Sequence, residues 1–409
     1  MPLNNLRTLE SLKNPAFRIY YFSMAGQWAA MSMQSVVQAL LLFRLTGSTA
    51  ILGTMALASS IPQVPVSLFA GVLVDRFPKK RLIQIAQVIT AMTSIIIAIF
   101  LKTGYLSNMH PGSWWILVAT SAVQGMTSSL SWSSRLAIIP ELVSKANVAN
   151  ATALNTIGIN IFQFVAPAFG GFLIDKINFE AVFMTISGLY LIAIFLTNFI
   201  PAGEATTSGR QHVIADMVEG FRYVRKNTAL LWILLYTLFC AMVVLPLSSM
   251  ISVFSDSILK VGGTGLGLLQ GFSAAGSFII ALAIASFALK KRSLIMLGTG
   301  LMIGLAQAAF AFSTLFPLSL MLMVFVGMGK MGQMTVSMIL LQTHSDAAHL
   351  GRVSSILLLS IGVSGLITFG SGFVAEAIGI QWTIAGASLI LAAATVLLFF
   401  LVPKLRKMD

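Results

Sequence analysis

The feature that most constrains this chain is a series of twelve apolar segments set apart by short polar connections: 16–43, 48–74, 80–101, 113–138, 147–174, 179–200, 228–255, 263–289, 293–313, 316–342, 350–375 and 379–402. A helix needs roughly 20 apolar residues to cross hydrocarbon. Lipid offers no water to the backbone, so a single spanning segment must bond its own N–H and C=O groups as a helix. Twelve such helices need about 240 apolar residues, and 57% of the 409 residues are apolar. Little remains for a domain outside the bilayer. Charged residues are only 9% of the chain, against about 25% in a soluble domain, which excludes a water-soluble enzyme. Cys240 is the one cysteine, so a disulfide scaffold is excluded as well. The expected fold class is an all-α membrane protein.

The net charge of +13 would suggest nucleic acid if it were not so unevenly placed. Counted over alternate connections, 20 of the 25 Lys and Arg fall on one side, including Lys79, Lys80, Arg81, Arg135, Lys290, Lys291 and Arg292. The other side has four, Arg44, Lys102, Lys176 and Lys260, and Lys330 lies inside a span. By the positive-inside rule both termini are cytoplasmic. The basic excess orients the protein, and no nucleic-acid partner is expected. Residues 1–15 lack the pattern of a removable signal peptide.

The longest polar stretch, 201–227, divides the spans six and six. Within it Val213, Ile214, Met217, Val218, Phe221 and Val224 recur at helical spacing opposite Asp216, Glu219, Arg222 and Arg225. That spacing predicts an amphipathic helix on the cytoplasmic membrane surface. The expected organisation is a bundle over 1–200, a linker over 201–227 and a bundle over 228–409. Short matches recur in the same order in the two halves. Leu52-Gly53 pairs with Leu266-Gly267, Lys79-Lys80-Arg81 with Lys290-Lys291-Arg292, and Gly171 through Asp175 with Gly372 through Glu376. Two duplicated bundles meeting around a midplane cavity are a transporter plan, with alternating access by rocking one half on the other.

After span 2 the chain reads Gly71-Val72-Leu73-Val74-Asp75-Arg76-Phe77-Pro78-Lys79-Lys80-Arg81. Gly71 would let a neighbouring helix approach closely. Asp75, an acid at the membrane edge, should sit against a partner such as Arg135 or the N-terminus of span 11. This segment resembles the cytoplasmic signature loop of the Major Facilitator Superfamily, with Pro78 in place of the second glycine. In that family the loop is a latch that stabilises one access state, a role that the resemblance carries to Gly71, Asp75 and Arg76. The second copy of the latch is degenerate, with Ser286 and Phe287 where Asp75 and Arg76 would fall.

Span 5 carries Ala166-Pro167-Ala168-Phe169-Gly170-Gly171. Proline frees a carbonyl and paired glycines allow close packing, which together make a bend or pivot. The pattern is similar to the exporter motif of the same family. Arg135, Pro140-Glu141-Leu142-Val143 and Ala151-Thr152-Ala153-Leu154-Asn155 resemble the branch that contains the enterobactin exporter and related bacterial drug-efflux proteins. Two departures stand out. The branch has Gly-Asp-Trp where this chain has Gly26-Gln27-Trp28, and the Arg of the proton-coupled span-4 motif falls at Ser121. No Asp or Glu lies at mid-depth in any span, which weakens a proton-antiport reading.

Lys330 is the one charge at the middle of a span. Placing it there costs roughly 3 kcal/mol, so it should face the interior. It reads either as a structural lysine bonded to carbonyls or as an anion-binding or proton-exchanging group. Polar stripes point the same way. Gln27, Met31, Gln34 and Gln38 form one face of span 1, and Gln124, Ser128 and Arg135, with Trp132 beside them, line span 4. Asn160 and Gln163 precede Pro167, and Gln333 follows Lys330. Polar side chains are unfavourable toward lipid, so these faces are expected to point inward, either to substrate or to other helices.

The leading expectation is a secondary-active exporter of an amphipathic or anionic organic compound, drug-like or siderophore-like, driven by proton antiport if the resemblance holds in that respect. A lipid or lysolipid flippase on the same fold is the alternative. No enzyme signature is present: there is no Walker loop, no His-Glu-x-x-His and no pair of mid-membrane acids. No cofactor or metal is expected. The expected partners are a small-molecule substrate, the bilayer and protons. The expected form is a monomer in a bacterial inner membrane.

Overall fold

The structure is a computed structural model, and it describes residues 10–201, 222, 224–225, 227–286, 291–345 and 350–401. In chain order the helices are α1 (Pro15–Thr46), α2 (Thr49–Arg76), α3 (Lys79–Lys102), α4 (Trp115–Leu142), α5 (Val148–Lys176) and α6 (Phe179–Thr197). The second six are α7 (Thr228–Val253), α8 (Gly262–Ser286), α9 (Arg292–Phe312), α10 (Phe316–His344), α11 (Leu350–Ile378) and α12 (Ile380–Leu401). The chain's own chemistry sets these ends. Asn14 caps α1 by accepting from the amides of Ala16 and Phe17, with Pro15 in the first helical position. Gly47, at φ +64°, stops the helix where a side chain would be strained. Ser48 then caps α2 at once, by accepting from Ile51. A five-residue π-turn, Phe254–Ile258, follows α7 and carries Asp256.

Ten helical stretches among the described residues are long and apolar enough to cross a membrane. α4 is not among them, because its stripe of Ser, Thr and Gln lowers its hydropathy, and α11 supplies the shorter apolar stretch Ser364–Ile378. The amphipathic helix expected at 201–227 lies outside the described residues, apart from Pro201, Arg222, Val224, Arg225 and Asn227.

The two bundles are built alike. In the first, α1 packs on α5 and α6, α3 on α4 and α6, and α2 on α4. In the second, α9 packs on α10 and α12, α8 on α10, and α7 on α11 and α12. The bundles join along two seams, α5 against α8 and α2 against α11. With lipid as apolar as leucine, helices associate through packing and polar contacts, so glycines mark the closest approaches. A Cβ on Gly125 of α4 would strike the Ser59 carbonyl of α2, and a Cβ on Gly327 of α10 would strike the Ser273 carbonyl of α8. Across the seams, Gly171 abuts Gly263 while Gly372 abuts Thr49. Gly267 abuts Pro167 and Ala168, while Gly53 abuts Phe369. Each contact in one half has its counterpart in the other.

These paired crossings fix the internal register. Sequence matching places the counterpart of Lys330 at about Thr127, but Gly125 and Gly327 make the same contact, so Lys330 corresponds to Ser128. Gly71 departs from expectation. No described atom lies within 4 Å of a Cβ built there. The seam crossings at Gly53, Gly171, Gly263, Gly267 and Gly372 lie toward the opposite ends of the helices.

Candidate functional site

Two adjoining cavities lie between the bundles, about 330 and 260 Å³ in volume. The first is walled by α1, α2 and α4, with Ser248 and Ser249 of α7 opposite. Gln27, Met31, Gln34, Gln38, Gln124, Ser128 and Arg135 line it. The second lies against α5, α8 and α10, and is lined by Trp28, Met31, Trp132, Arg135, Gln163, Pro167, Gln270, Ser273, Ser277 and Lys330. Met31, Ser35 and Arg135 belong to both, so the two are lobes of one site.

The polar stripe of α1 works in two ways. Gln27 donates to Ser131 at 2.8 Å and accepts from Gln87 at 3.0 Å, and Thr197 donates to Gln87 at 3.2 Å. Gln38 donates to the Leu117 carbonyl and accepts from Gln124, both at 2.8 Å. These amides are mortar between helices as much as lining. Gln34 differs: it is 2% exposed, it lines the first lobe, and its Nε2 has no acceptor. The indole Nε1 of Trp28 in the second lobe is likewise buried without an acceptor. A buried unpaired donor costs about 1–3 kcal/mol. Both atoms are closed off from the lobes in this conformation, although their residues line them.

The charges are as one-sided as the hydrogen bonds. Arg135 donates through Nε to the Ser131 carbonyl at 3.3 Å and lies over the Trp132 ring at 5.5 Å. The sequence counted it with the basic connections and also set it on the polar face of span 4; α4 continues to Leu142 and holds Arg135 within the lobes. Lys330 opens into the second lobe and makes no hydrogen bond or ion pair with any described residue. That disfavours a lysine held by carbonyls. Among the described residues no carboxylate lines either lobe. Arg135 and Lys330 face a space with no opposing acid among the described residues.

Not every residue singled out from sequence reaches this space. Asn160 is half-buried and lines neither lobe. Gln333 is 5% exposed and donates to Ser337 at 3.1 Å, one turn along its own helix. Trp28, Ser59, Gln63, Gln270, Ser273 and Ser277 were not singled out, yet they line it. The duplication could have found Ser59 and Ser273 together. Gln87 was missed, although Gln84, Gln87, Thr90 and Ser94 recur at helical spacing on α3, a polar stripe that could have found it.

The motifs presumed to govern gating separate by end. Pro167 sits inside an unbroken α5 and meets Gly267, Gly170 packs on Met33 and Val37 of α1, and Gly171 meets Gly263. Asp175, one turn further on, accepts from the amides of Gly263 and Thr264 at 2.9 and 2.7 Å and from the Thr264 hydroxyl at 2.7 Å. Its counterpart Glu376 accepts from the Ser48 hydroxyl at 2.8 Å and the Ala50 amide at 3.0 Å. Each carboxylate thus caps the N-terminus of a helix in the other bundle, where the helix dipole favours it. Arg44 adds a third tie, with Nε and Nη2 both on Asp256 Oδ1 at 3.0 and 2.8 Å. All three ties lie at the end poor in basic residues. At the opposite end Asp75 is half-buried, Arg76 is exposed, and Lys79 pairs with Glu141 at 2.5 Å within the first bundle.

Similarity to known proteins agrees with this architecture. The chain is 23% identical over 407 residues to macrolide efflux protein A of Streptococcus pyogenes, covering 95% of this chain and 97% of the relative. It is 23% identical over 376 residues to the multidrug efflux pump Tap of Mycolicibacterium fortuitum, covering 89% and 90%. The crystal structure of the nucleoside transporter NupG superposes with a TM-score of 0.72 at 14% identity, covering 96% of this chain and all of that one. Since the Major Facilitator Superfamily model matches residues 19–368, and the duplicated bundles and central site are what that match entails, the chain belongs to the Major Facilitator Superfamily of membrane transporters.

Proposed function

We propose that this transporter is an exporter of amphipathic organic anions, working by alternating access. The observation that carries the reading is the lining of the site: Arg135 and Lys330 with no acid among the described residues, and Trp132 with Met31 as apolar surface. Such a surface accepts a molecule with one acceptor-rich, negative end and an aromatic or aliphatic body. Export is supported by the names of the similar proteins, macrolide efflux protein A and multidrug efflux pump Tap, and by Pro167, Gly170 and Gly171 at the seam.

Orientation follows from the basic asymmetry, which puts both termini and the 201–227 linker in the cytoplasm. The end tied by Asp175, Glu376 and Arg44 then faces outward, and the conformation is inward-facing. In this reading Gly71 makes its close contact only after the bundles rock and close the cytoplasmic end. A bacterial plasma membrane and a monomeric unit fit the reading. Proton antiport would need a titratable group on the pathway, and Lys330 is the only mid-depth candidate.

Proteoliposomes decide the matter. Carboxyfluorescein, an amphipathic anion, should be transported faster than the cation ethidium, and a cysteine at 105 should label from outside while one at 209 labels from inside. Ethidium moved in preference to carboxyfluorescein would overturn the anion reading, and lysolipid movement alone would make the protein a flippase. Labelling of both cysteines from one side would sink the topology.

A further inference from the structure

We infer that the membrane potential, acting on the fixed positive charge of the cavity, returns the empty carrier inward and so drives export without proton exchange. The inference rests on the inward-facing anion site proposed above. All 12 Asp and Glu of the sequence fall at helix ends or in connections, and so do His110, His212, His344 and His349. Among the described residues, Lys330 and Arg135 are the charged side chains on the two lobes.

An antiporter needs a group that gives up its proton as substrate binds. An ammonium does the reverse, since a bound anion holds the proton on it. By linkage, substrate and proton would then leave together, and an inward-directed proton gradient would oppose export. The fixed charge offers another source of work. In the inward-facing state the ties at Asp175, Glu376 and Asp256 close the outer end, so the field falls across that seam and the cavity sits at the cytoplasmic potential. Opening outward raises the cavity to the external potential, and each uncompensated positive charge must cross the field. One charge over 100 mV shifts the ratio of the two states about 50-fold. The empty carrier, with two positive charges, is therefore held inward when the inside is negative. A bound dianion cancels both, the loaded carrier turns outward without that penalty, and each cycle moves two negative charges out of the cell. Nothing else needs to move for the charges to balance.

The test reads the empty carrier. Met55 lines the first lobe beneath the Gly53–Phe369 crossing, so a cysteine there is shielded from outside until the carrier turns. Met55→Cys in a Cys240→Ala background is reconstituted right-side-out and labelled with an impermeant thiol reagent at potentials set by valinomycin. Labelling should be at least tenfold faster with the inside positive than with it negative, and Lys330→Met, which removes one of two charges, should reduce that ratio to about its square root. Labelling that ignores the potential would overturn the inference, and so would an unchanged ratio in Lys330→Met. Carboxyfluorescein efflux separates this outcome from the site reading. Efflux with voltage-independent labelling refutes the coupling alone. Voltage-dependent labelling with no anion efflux refutes the site alone.

Discussion

The two walls of the central site are the same scaffold carrying different chemistry. On the first wall, Ala56, Ser59 and Gln63 of α2 face the lobe with Ser128 of α4. On the second, their counterparts are Gln270, Ser273 and Ser277 of α8 and Lys330 of α10. The crossing beneath is conserved between walls, since Gly125 meets Ser59 just as Gly327 meets Ser273. Packing of backbone on backbone tolerates no side chain, so duplication left the glycines alike. The lining has no such constraint, and it diverged to give a neutral serine on one side and a cation on the other. The α1 stripe diverged as well: when Asn14, just before α1, is aligned with Asn227, just before α7, Gln34 and Gln38 stand where α7 has Leu247 and Ile251. Shape is shared between the halves, and specificity comes from their asymmetry.

The asymmetry breaks most sharply at Lys330. Lys330→Ser makes the two walls alike at this position, and anion efflux should fall roughly 10- to 100-fold, the worth of a charged hydrogen bond. The variant should fold at least as well, because it removes an insertion cost of roughly 3 kcal/mol. Adding Ser128→Lys should restore part of the rate if the walls are equivalent. Carboxyfluorescein efflux from proteoliposomes reads all three proteins, and an unchanged rate in Lys330→Ser would show that charge asymmetry plays no part in recognition.

The shared shape can be broken next. Gly125→Ala and Gly327→Ala each drive a methyl into a serine carbonyl, and overpacking of this kind costs about 1–3 kcal/mol. Thermal midpoints in detergent should drop by similar amounts for both. A loss in one variant only would mean that the crossings are not equivalent.

The outer ties give a smaller effect. A charge at a helix N-terminus contributes about 0.3–1 kcal/mol. Asp175→Asn should thus raise outside labelling of Met55→Cys by a few-fold, and Glu376→Gln by less, because Glu376 accepts two hydrogen bonds where Asp175 accepts three. The reverse order would argue that hydrogen-bond number does not rank the two seams. Smallest of all is Gly71→Ala, with open space around its Cβ. Its thermal midpoint should correspond to a change within about 0.5 kcal/mol. A drop as large as that of Gly125→Ala would place a close neighbour at Gly71 in the dominant state.

Much of the fold was legible because lipid leaves a helix few alternatives. Segment 80–101 became Lys79–Lys102 and segment 293–313 became Arg292–Phe312. The largest disagreement, 113–138 against Trp115–Leu142, arises because α4 continues through Pro140. Local patterns also marked polar faces correctly without saying what they touch. Gln27 and Gln38 spend their amides on neighbouring helices, Gln34 does not, and spacing along α1 is the same for all three.

What the sequence determined by itself is the class and the plan. The apolar run length required membrane helices, and the repeated Gly171–Asp175 and Gly372–Glu376 segments announced two related halves. What only the tertiary structure decided is which residues meet. The one-residue register that pairs Lys330 with Ser128, the exclusion of Asn160 and Gln333 from the lobes, and the three ties at one end depend on contacts between distant segments. The physical reason is that burial in lipid acts on each helix separately and is written in local composition. Recognition and gating act between helices, through backbone approaches and single hydrogen bonds that no local pattern encodes.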